Sequence, residues 1–255
     1  MFNAVHINDL IIYKSSLLNS RNGICHGFSA RAGGVGNSPY STLNLGLSVG
    51  DIPENVHKNR ELFFQALKSD PQQSAQGVQV HGNTIQIVDH PGAFESTDAL
   101  ITNRKNISLV IKTADCAPVI LFDPEKRVVA AVHAGWRSVV KRILENTIRT
   151  MVENFDCKPE IVKCAIGPSI RSCCYEVKND VSSRFPDDVI LWKNNKSYLD
   201  IPKAIQMRLI DQGIKIKNID DSQLCTACNE KVFFSHRRDK GKTGRMMTAV
   251  YLTLN

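Results

Sequence analysis

Short apolar runs separated by polar turns dominate this chain, and they predict a fold rich in β-strands. The runs are bounded by glycine, proline or aspartate and contain many β-branched residues, which is typical of strands. They cover residues 24–31, 77–81, 84–88, 107–113, 117–122, 127–134, 161–166, 231–236 and 246–252. Helical spacing of apolar residues appears instead over residues 54–68, 137–155 and 202–212. Strands joined partly by a hairpin and partly by helices predict a mixed α/β (α+β) fold, with mixed β-sheets flanked by helices.

The domain organisation predicted from this pattern is simple. The chain shows neither an internal repeat nor a low-complexity tract nor a convincing linker. Its 255 residues, 42% of them hydrophobic, are enough to bury a substantial core. We therefore expect one domain over residues 1–255.

One hairpin places two reactive side chains near each other. The turn signal Asp123-Pro124-Glu125-Lys126 separates the runs 117–122 and 127–134. If Asp123 faces Lys126, Cys116 lies opposite His133. A loop longer by two residues keeps both on one face and shifts the partner of His133 to Pro118, whereas a loop longer by one residue puts them on opposite faces.

His81, which is followed by Gly82, is the third candidate for this site. A set of two histidines and one cysteine leaves a fourth position open, as catalytic zinc sites do. The same Cys116 and His133 could instead be a nucleophile and its base without a metal. A buried, inert Cys116 is the structural alternative, and the residues alone leave all three open.

A glycine-rich loop follows the first predicted strand. Gly33 and Gly34 could bring backbone amides close to a ligand, and Arg31 before them could hold a phosphate or carboxylate. The loop lacks the Gly-Lys-Ser/Thr of a Walker loop and is not a dinucleotide fingerprint. A plain surface loop is the competing interpretation.

The eight cysteines indicate reduced thiols or metal ligands rather than disulfides, because the chain is long and shows no secretory leader pattern. Cys225 and Cys228 form a lone CxxC pair, for which a structural zinc site is the less favoured interpretation. Cys173 and Cys174 are adjacent, and we interpret them as packing or loop residues.

Charge and hydropathy limit which binding partners and which cellular compartment we expect. The net charge is +7, but the basic residues are scattered, and no aromatic-interleaved basic stripe or nucleic-acid motif appears. No apolar run approaches the length of a membrane span. We expect a cytoplasmic protein that binds neither nucleic acid nor membrane.

Several segments together resemble the YfiH-like family, once called multicopper polyphenol oxidoreductases or laccases and now linked to purine nucleoside metabolism. They are SARAGGVGNSPYSTLNLG, VHGN, TDALIT, KTADCAPVILFD, AAVHAGWRS, IGPSIRSCCYEV and FFSHRRDKGKTGRM, and they run from about Cys25 to Leu252. The resemblance implies one α/β domain related to certain cysteine hydrolases. It also implies a zinc site formed by His81, Cys116 and His133, which would then be the catalytic and metal-binding residues.

The activity that the resemblance implies is phosphorolysis of adenosine, inosine and methylthioadenosine, with adenosine deamination beside it. Purine nucleosides and phosphate would be the partners, and the protein would be a monomer or a weak homodimer. The family's glycine segment matches Arg31, Gly33 and Gly34, and its SLNLG segment matches Asn44, which is preceded here by TL. We expect these residues and Arg245 to bind substrate.

Three other functions compete with this one. A copper polyphenol oxidase is the family's older description, with copper instead of zinc, but classical multicopper sites need more histidines than seven can sensibly supply. A metal-independent Cys/His amide hydrolase acting in peptidoglycan precursor editing would use Cys116 and His133. A binding module would hold nucleoside without turnover.

The chain departs from the family's usual pattern in three places. The glycine loop reads GGVGNSPY, where the family commonly has a serine after the valine and a glycine before the proline. His236 stands where a tyrosine is common, and Arg171 stands where a glycine is common. All three departures lie in segments that we expect to be loops at the pocket.

Overall fold

The structure, a computed structural model, describes residues 1–19 and 23–254. Two large β-sheets form its centre, and helices cover their outer faces. The strands and helices are β1 (Phe2–Ile7), β2 (Leu10–Ser15), β3 (Ile24–Ser29), α1 (Pro53–Ala66), β4 (Ser74–Gly77), β5 (Ile85–Ile87), β6 (Gly92–Phe94), β7 (Ala99–Thr102), β8 (Ser108–Thr113), β9 (Ala117–Asp123), β10 (Val128–Ala134), α2 (Trp136–Val140), α3 (Ile143–Phe155), β11 (Lys163–Ile166), β12 (Glu176–Val177), α4 (Asn179–Ser182), β13 (Ile190–Lys193), β14 (Lys196–Leu199), α5 (Ile201–Asp211), β15 (Ile219–Asp221) and β16 (Met246–Leu252).

The first sheet has seven strands in the order β1-β2-β3-β16-β8-β4-β6, and the second has six in the order β15-β11-β9-β10-β7-β5. A third, three-stranded sheet has the order β12-β14-β13. Both large sheets contain parallel and antiparallel neighbours, for example β4 with β8 and β10 with β9. The expected mixed α/β fold is confirmed.

Alternation along the central strands explains how the layers stack. On β9, Ile120 and Phe122 pack in a core between the sheets together with Leu109 and Val250 of the other sheet. Val119 and Leu121 point the other way, into a second core with α3 and α5. A third core lies between α1 and the outer face of the first sheet. The period-2 pattern of the strands therefore produces a four-layer arrangement with buried faces on both sides of each central strand.

The β9–β10 hairpin takes the longer of the two registers that keep the face. Val128 pairs with Asp123 and His133 pairs with Pro118. Asp123 closes the turn, because its Oδ1 accepts hydrogen bonds from the amides of Glu125 and Lys126, both at 2.9 Å. His133 therefore lies on the same face as Val129 and Ala131, toward the first sheet.

Some predicted elements differ from the structure. The helix expected over 137–155 is two helices, because Arg142 adopts a left-handed φ of 66° between them. The strand expected over 77–81 ends at Gly77, so His81 is in a loop. Residues 231–236 form turns, in which the amides of Val232 and Phe233 donate to the carbonyl oxygen of Asn229. Strands β1 and β2 were not predicted, since their apolar alternation is weak.

No helix within residues 1–19 and 23–254 combines the length and the apolar character that crossing a membrane requires.

Candidate metal centre

His81, Cys116 and His133 converge at one end of the space between the two large sheets. His133 is near the end of β10, Cys116 immediately precedes β9, and His81 is in the loop after β4. One ligand atom from each lies within 4.8 Å of the other two. The Cys116 Sγ is 3.7 Å from the His81 Nε2, and the two imidazole rings meet edge to face at 4.8 Å. The structure thus brings together the three residues predicted as metal ligands.

The backbone at this site adopts unusual conformations. His81 has a φ of 56°, and Asp115, directly before Cys116, has a φ of 89°. Positive φ values are uncommon in residues other than glycine, although aspartate and histidine tolerate them better than most. Here Asp98 holds the loop, because its carboxylate accepts hydrogen bonds from the amides of Val80, His81 and Gly82.

Asp98 also orients His133. The Nδ1 of His133 is 2.8 Å from the Asp98 Oδ1, and neither residue is exposed to solvent. A proton on Nδ1 leaves Nε2 as the unprotonated nitrogen, which is the arrangement that metal-binding histidines commonly show. Burial alone would raise the pKa of Asp98, but the hydrogen bonds from His133 and Gly82 lower it. Sequence reasoning did not single out Asp98; its position just before the buried strand β7 was the available signal.

Cys116 and His133 stabilise each other's charged forms when metal is absent. Burial opposes the charge on both. Even so, the charge and hydrogen bond of His133 lower the pKa of Cys116 to about 6, with His81 contributing. The Cys116 thiolate and Asp98 raise the pKa of His133 to about 9. A thiolate at neutral pH is the form that binds metal or attacks an electrophile.

The donor set fits a borderline-soft divalent metal such as zinc. Two imidazole nitrogens and one thiolate are ligands that zinc and copper accept, whereas magnesium and calcium prefer oxygen. Gly135 completes the close packing, since a Cβ there would lie 3.0 Å from both the Cys116 Sγ and the His81 Cδ2. With three protein ligands, a fourth position remains for water or substrate.

A cavity of about 720 Å³ opens onto the three residues, which is a size typical of small-molecule sites. Trp136 and Tyr175 are its large aromatic residues, and Asp115 is the single acidic residue among the described residues that line it. The Asp115 carboxylate is already engaged by Thr226 and by the amide of Arg237. The basic residues that line the cavity are Arg60, Lys112, Arg137, Arg237 and Arg245.

Of the predicted substrate-binding residues, the structure brings Arg245 to this cavity. Asn44 is completely buried and acts indirectly. Its Oδ1 accepts from the amides of Gly46 and Arg245, two residues that do line the cavity. Asn44 is therefore placed to position the wall rather than to contact substrate.

Arg31, Gly33 and Gly34 do not line the metal-centre cavity. Arg31 borders a separate cavity of about 450 Å³, where its guanidinium donates to the carbonyl oxygens of Ser41 and Glu230 and stacks on Phe234. A Cβ at Gly33 would lie 2.2 Å from the Asp9 carbonyl oxygen. The glycines thus permit close packing between loops, and the expectation that this loop holds a ligand at the metal centre does not agree with their placement.

Lys112 and Arg60 are basic residues of the cavity that sequence reasoning missed. Burial and the nearby charge of Arg60 lower the pKa of Lys112 to about 8. A lysine inside the buried strand β8 was the only sequence signal for it. Of the two single-residue departures from the usual pattern, His236 lines the cavity, whereas Arg171 is paired with Asp221 outside it.

Comparison with known proteins assigns the family. The family model described as multi-copper polyphenol oxidoreductase laccase matches residues 25–253. The chain belongs to this family. The purine nucleoside phosphorylase YlmD of Bacillus subtilis is 35% identical over 241 residues, which span 88% of this chain and 87% of the relative. A purine nucleoside phosphorylase of Deinococcus radiodurans is 38% identical over 231 residues, 89% of this chain and 88% of the relative.

Solved structures of similar proteins agree with the fold. YlmD from Geobacillus stearothermophilus matches with a TM-score of 0.92 at 29% identity, over 99% of this chain and 98% of that one. The Bacillus licheniformis protein YfiH matches with a TM-score of 0.91 at 31% identity, over 99% of both chains. The resemblance inferred from the sequence is confirmed.

Proposed function

We propose that the protein is a zinc-dependent purine nucleoside phosphorylase that acts on adenosine, inosine and methylthioadenosine. The observation that carries the proposal is a Cys/His₂ set that opens onto a cavity rich in basic residues. Relatives that are 28–38% identical are named purine nucleoside phosphorylases, which supports the reaction class.

Phosphate would be held by Arg60, Lys112 and Arg245. All three are partly buried, and burial lowers the pKa of each. The Lys112 ammonium donates to the Gln76 side chain, and Asp115, the one acidic side chain among the described lining residues, acts on Arg245 but not on Arg60 or Lys112. A phosphate dianion would restore the favourable environment of these cations through charge-assisted hydrogen bonds.

The nucleoside would lie between these cations and the metal centre. A phosphate oxygen bonds to C1′ of the ribose, the bond from C1′ to N9 breaks, and the purine leaves with the electron pair and takes up a proton. Trp136 and Tyr175 offer flat apolar surfaces for the base. The metal at His81, Cys116 and His133 would supply Lewis-acid polarisation at its open position.

Adenosine deamination is the second reaction that we propose for the same site. Attack of water on C6 of the purine releases ammonia, and it needs an activated water beside the base. The open ligand position, with Asp98 fixing His133, supports this chemistry. Inosine formed in this way would then be a substrate for phosphorolysis.

A metal-free thiol hydrolase is the alternative that one observation favours. Cys116, His133 and Asp98 form a chain of contacts like a nucleophile, a base and its orienting carboxylate. Amide hydrolysis through this chain would be insensitive to chelators. A copper oxidase is less well supported, because within the described residues one group of potential ligands contains histidines, and it contains two.

One assay separates these functions. Purified, metal-analysed protein receives adenosine or inosine with and without phosphate, before and after chelation, and the products are resolved by chromatography. We expect free base to form only with phosphate, and the activity to fall with zinc content and return on zinc addition. Cys116→Ala should abolish it, whereas Cys25→Ser, a half-buried cysteine outside the site, should not. Full activity in Cys116→Ala protein would refute the assignment.

A further inference from the structure

Four cysteines outside the metal-centre cavity lie close to one another. Cys173 and Cys174 are in the turn before β12, and Cys225 and Cys228 are in the segment between β15 and β16. Their four Sγ atoms lie within 4.8 Å of one another. The Sγ of Cys228 is 3.4 Å from that of Cys173 and 3.2 Å from that of Cys174. From the sequence, Cys173 and Cys174 are interpreted as packing or loop residues, and a zinc site at Cys225 and Cys228 is the less favoured interpretation. Only the fold shows that the four form one cluster.

We propose that this four-cysteine cluster is a second, structural zinc site. Zinc bonds to thiolate sulfur at about 2.3 Å, so a tetrahedral site separates its sulfurs by about 3.8 Å. The observed spacings are close to that value, and they are well beyond the roughly 2.05 Å of a disulfide bond. Four protein thiolates fill every position of a tetrahedral zinc ion, which makes the site structural rather than catalytic.

Backbone hydrogen bonds hold the two segments together independently of the sulfurs. Ser169 pairs with Cys225 in an isolated bridge, and the amide of Thr226 donates to the Ser169 carbonyl oxygen at 3.1 Å. The amide of Cys174 donates to the carbonyl oxygen of Arg171 in the adjoining turn. The ligands are thus brought together before a metal binds, which reduces the entropy that binding must overcome.

Two backbone amides are directed at one sulfur of the cluster. The amides of Cys228 and Arg171 hydrogen-bond to the Cys225 sulfur. Such N–H to sulfur contacts are the outer contacts that stabilise thiolate ligands. Arg171 itself is paired with Asp221, which fixes the turn next to the cluster.

The cluster connects to the metal-centre cavity through its neighbours in sequence. Tyr175, directly after Cys174, lines the cavity. Thr226, between Cys225 and Cys228, donates through its hydroxyl to the Asp115 carboxylate at 2.6 Å. Zinc at the cluster would therefore fix two segments that shape the cavity, while each cysteine of the cluster stays outside its lining.

The test is zinc content per chain, measured by elemental analysis on folded protein. We expect Cys225→Ser/Cys228→Ser protein to hold about one zinc fewer than the wild type. Cys25→Ser, the matched cysteine control, should leave the content unchanged. Equal zinc in wild type and double variant would overturn the proposal, as would a Cys173–Cys228 or Cys174–Cys228 disulfide found by mass spectrometry in protein purified without oxidant.

A second measurement tests the four-cysteine cluster even if the double variant does not fold. Cys116→Ala removes a ligand of the first centre and keeps the four-cysteine cluster intact. Loaded with cobalt, this protein should retain about one metal ion and show the intense visible absorption of tetrahedral thiolate cobalt. Loss of all metal from Cys116→Ala would refute the second site and leave the proposed function untouched. Retention of activity there would refute the proposed function and leave the cluster untouched.

Discussion

Replacing Asp98 by asparagine changes one buried atom that orients His133 and leaves the side-chain shape unchanged. Its Oδ1 accepts from His133 Nδ1 at 2.8 Å and from the His81 amide at 3.0 Å. Its Oδ2 accepts from the amides of Val80 and Gly82 at 3.2 and 2.7 Å. An asparagine has one oxygen for these four donors, so one side of the carboxylate must become a donor itself.

Both placements of the new amide weaken the metal centre. If the NH₂ group faces His133, the imidazole must accept at Nδ1, and its proton moves to Nε2, the nitrogen meant for the metal. If the NH₂ group faces Val80 and Gly82, two backbone donors lose their acceptor, at about 1–3 kcal/mol each. Loss of such an orienting partner lowers metal affinity about 10- to 100-fold, which corresponds to about 1.4 to 2.8 kcal/mol.

The assay is zinc affinity by competition with a chromophoric chelator, together with ¹⁵N NMR of the histidine tautomers. Asp123→Asn is the matched control. Asp123 is equally buried, and it accepts hydrogen bonds from the amides of Glu125, Lys126 and Lys158. It contacts no histidine of the metal centre. Its zinc affinity should match that of the wild type. An Asp98→Asn protein whose zinc affinity stays within threefold of the wild type, with Nδ1 of His133 still protonated, would refute this role of Asp98.

Three further changes probe the same cavity. Gly135→Ala should reduce zinc affinity about tenfold, because the new methyl group meets Cys116 and His81 at 3.0 Å while the backbone φ of −78° tolerates alanine; unchanged affinity in a folded variant would contradict the packing. Lys112→Gln should raise the KM for phosphate about tenfold and change kcat little. In the wild type, the KM for phosphate should also rise above about pH 8, where Lys112 loses its proton. Steady-state kinetics with varied phosphate test both expectations, and an unchanged KM would contradict them. In metal-depleted protein, the rate of Cys116 alkylation by iodoacetamide should rise with pH with a midpoint at about pH 6, since deprotonation creates the nucleophile. His133→Gln should move that midpoint to higher pH. Mass spectrometry of the labelled peptide measures the midpoint, and an unchanged value would contradict the role of His133.

The sequence determined the elements whose cause is local. Continuous apolar runs over residues 117–122 and 127–134 predicted β9 and β10, and the Asp123 turn limited the hairpin to registers of known face. In two of the three registers considered, that reasoning puts Cys116 and His133 on one face of the hairpin, because a two-residue shift conserves the face of a strand. A one-residue shift would have separated them. Local patterns failed at Arg142, where a single left-handed residue divides an apparently continuous amphipathic helix.

The pairing of strands and the packing of layers set which distant residues share a site. Asp98 reaches His133 because β7 pairs with β10, and Lys112 meets Arg60 at the cavity because α1 packs on the outer face of the first sheet. The fold also puts Arg31 into a separate cavity and gathers Cys173, Cys174, Cys225 and Cys228. Hydrophobic periodicity predicts which faces of a strand are buried, but it does not predict which element covers them. The order of strands in a sheet and the packing of sheets depend on contacts between residues far apart in the chain. A local pattern does not contain these contacts, so it does not predict which distant residues complete a site.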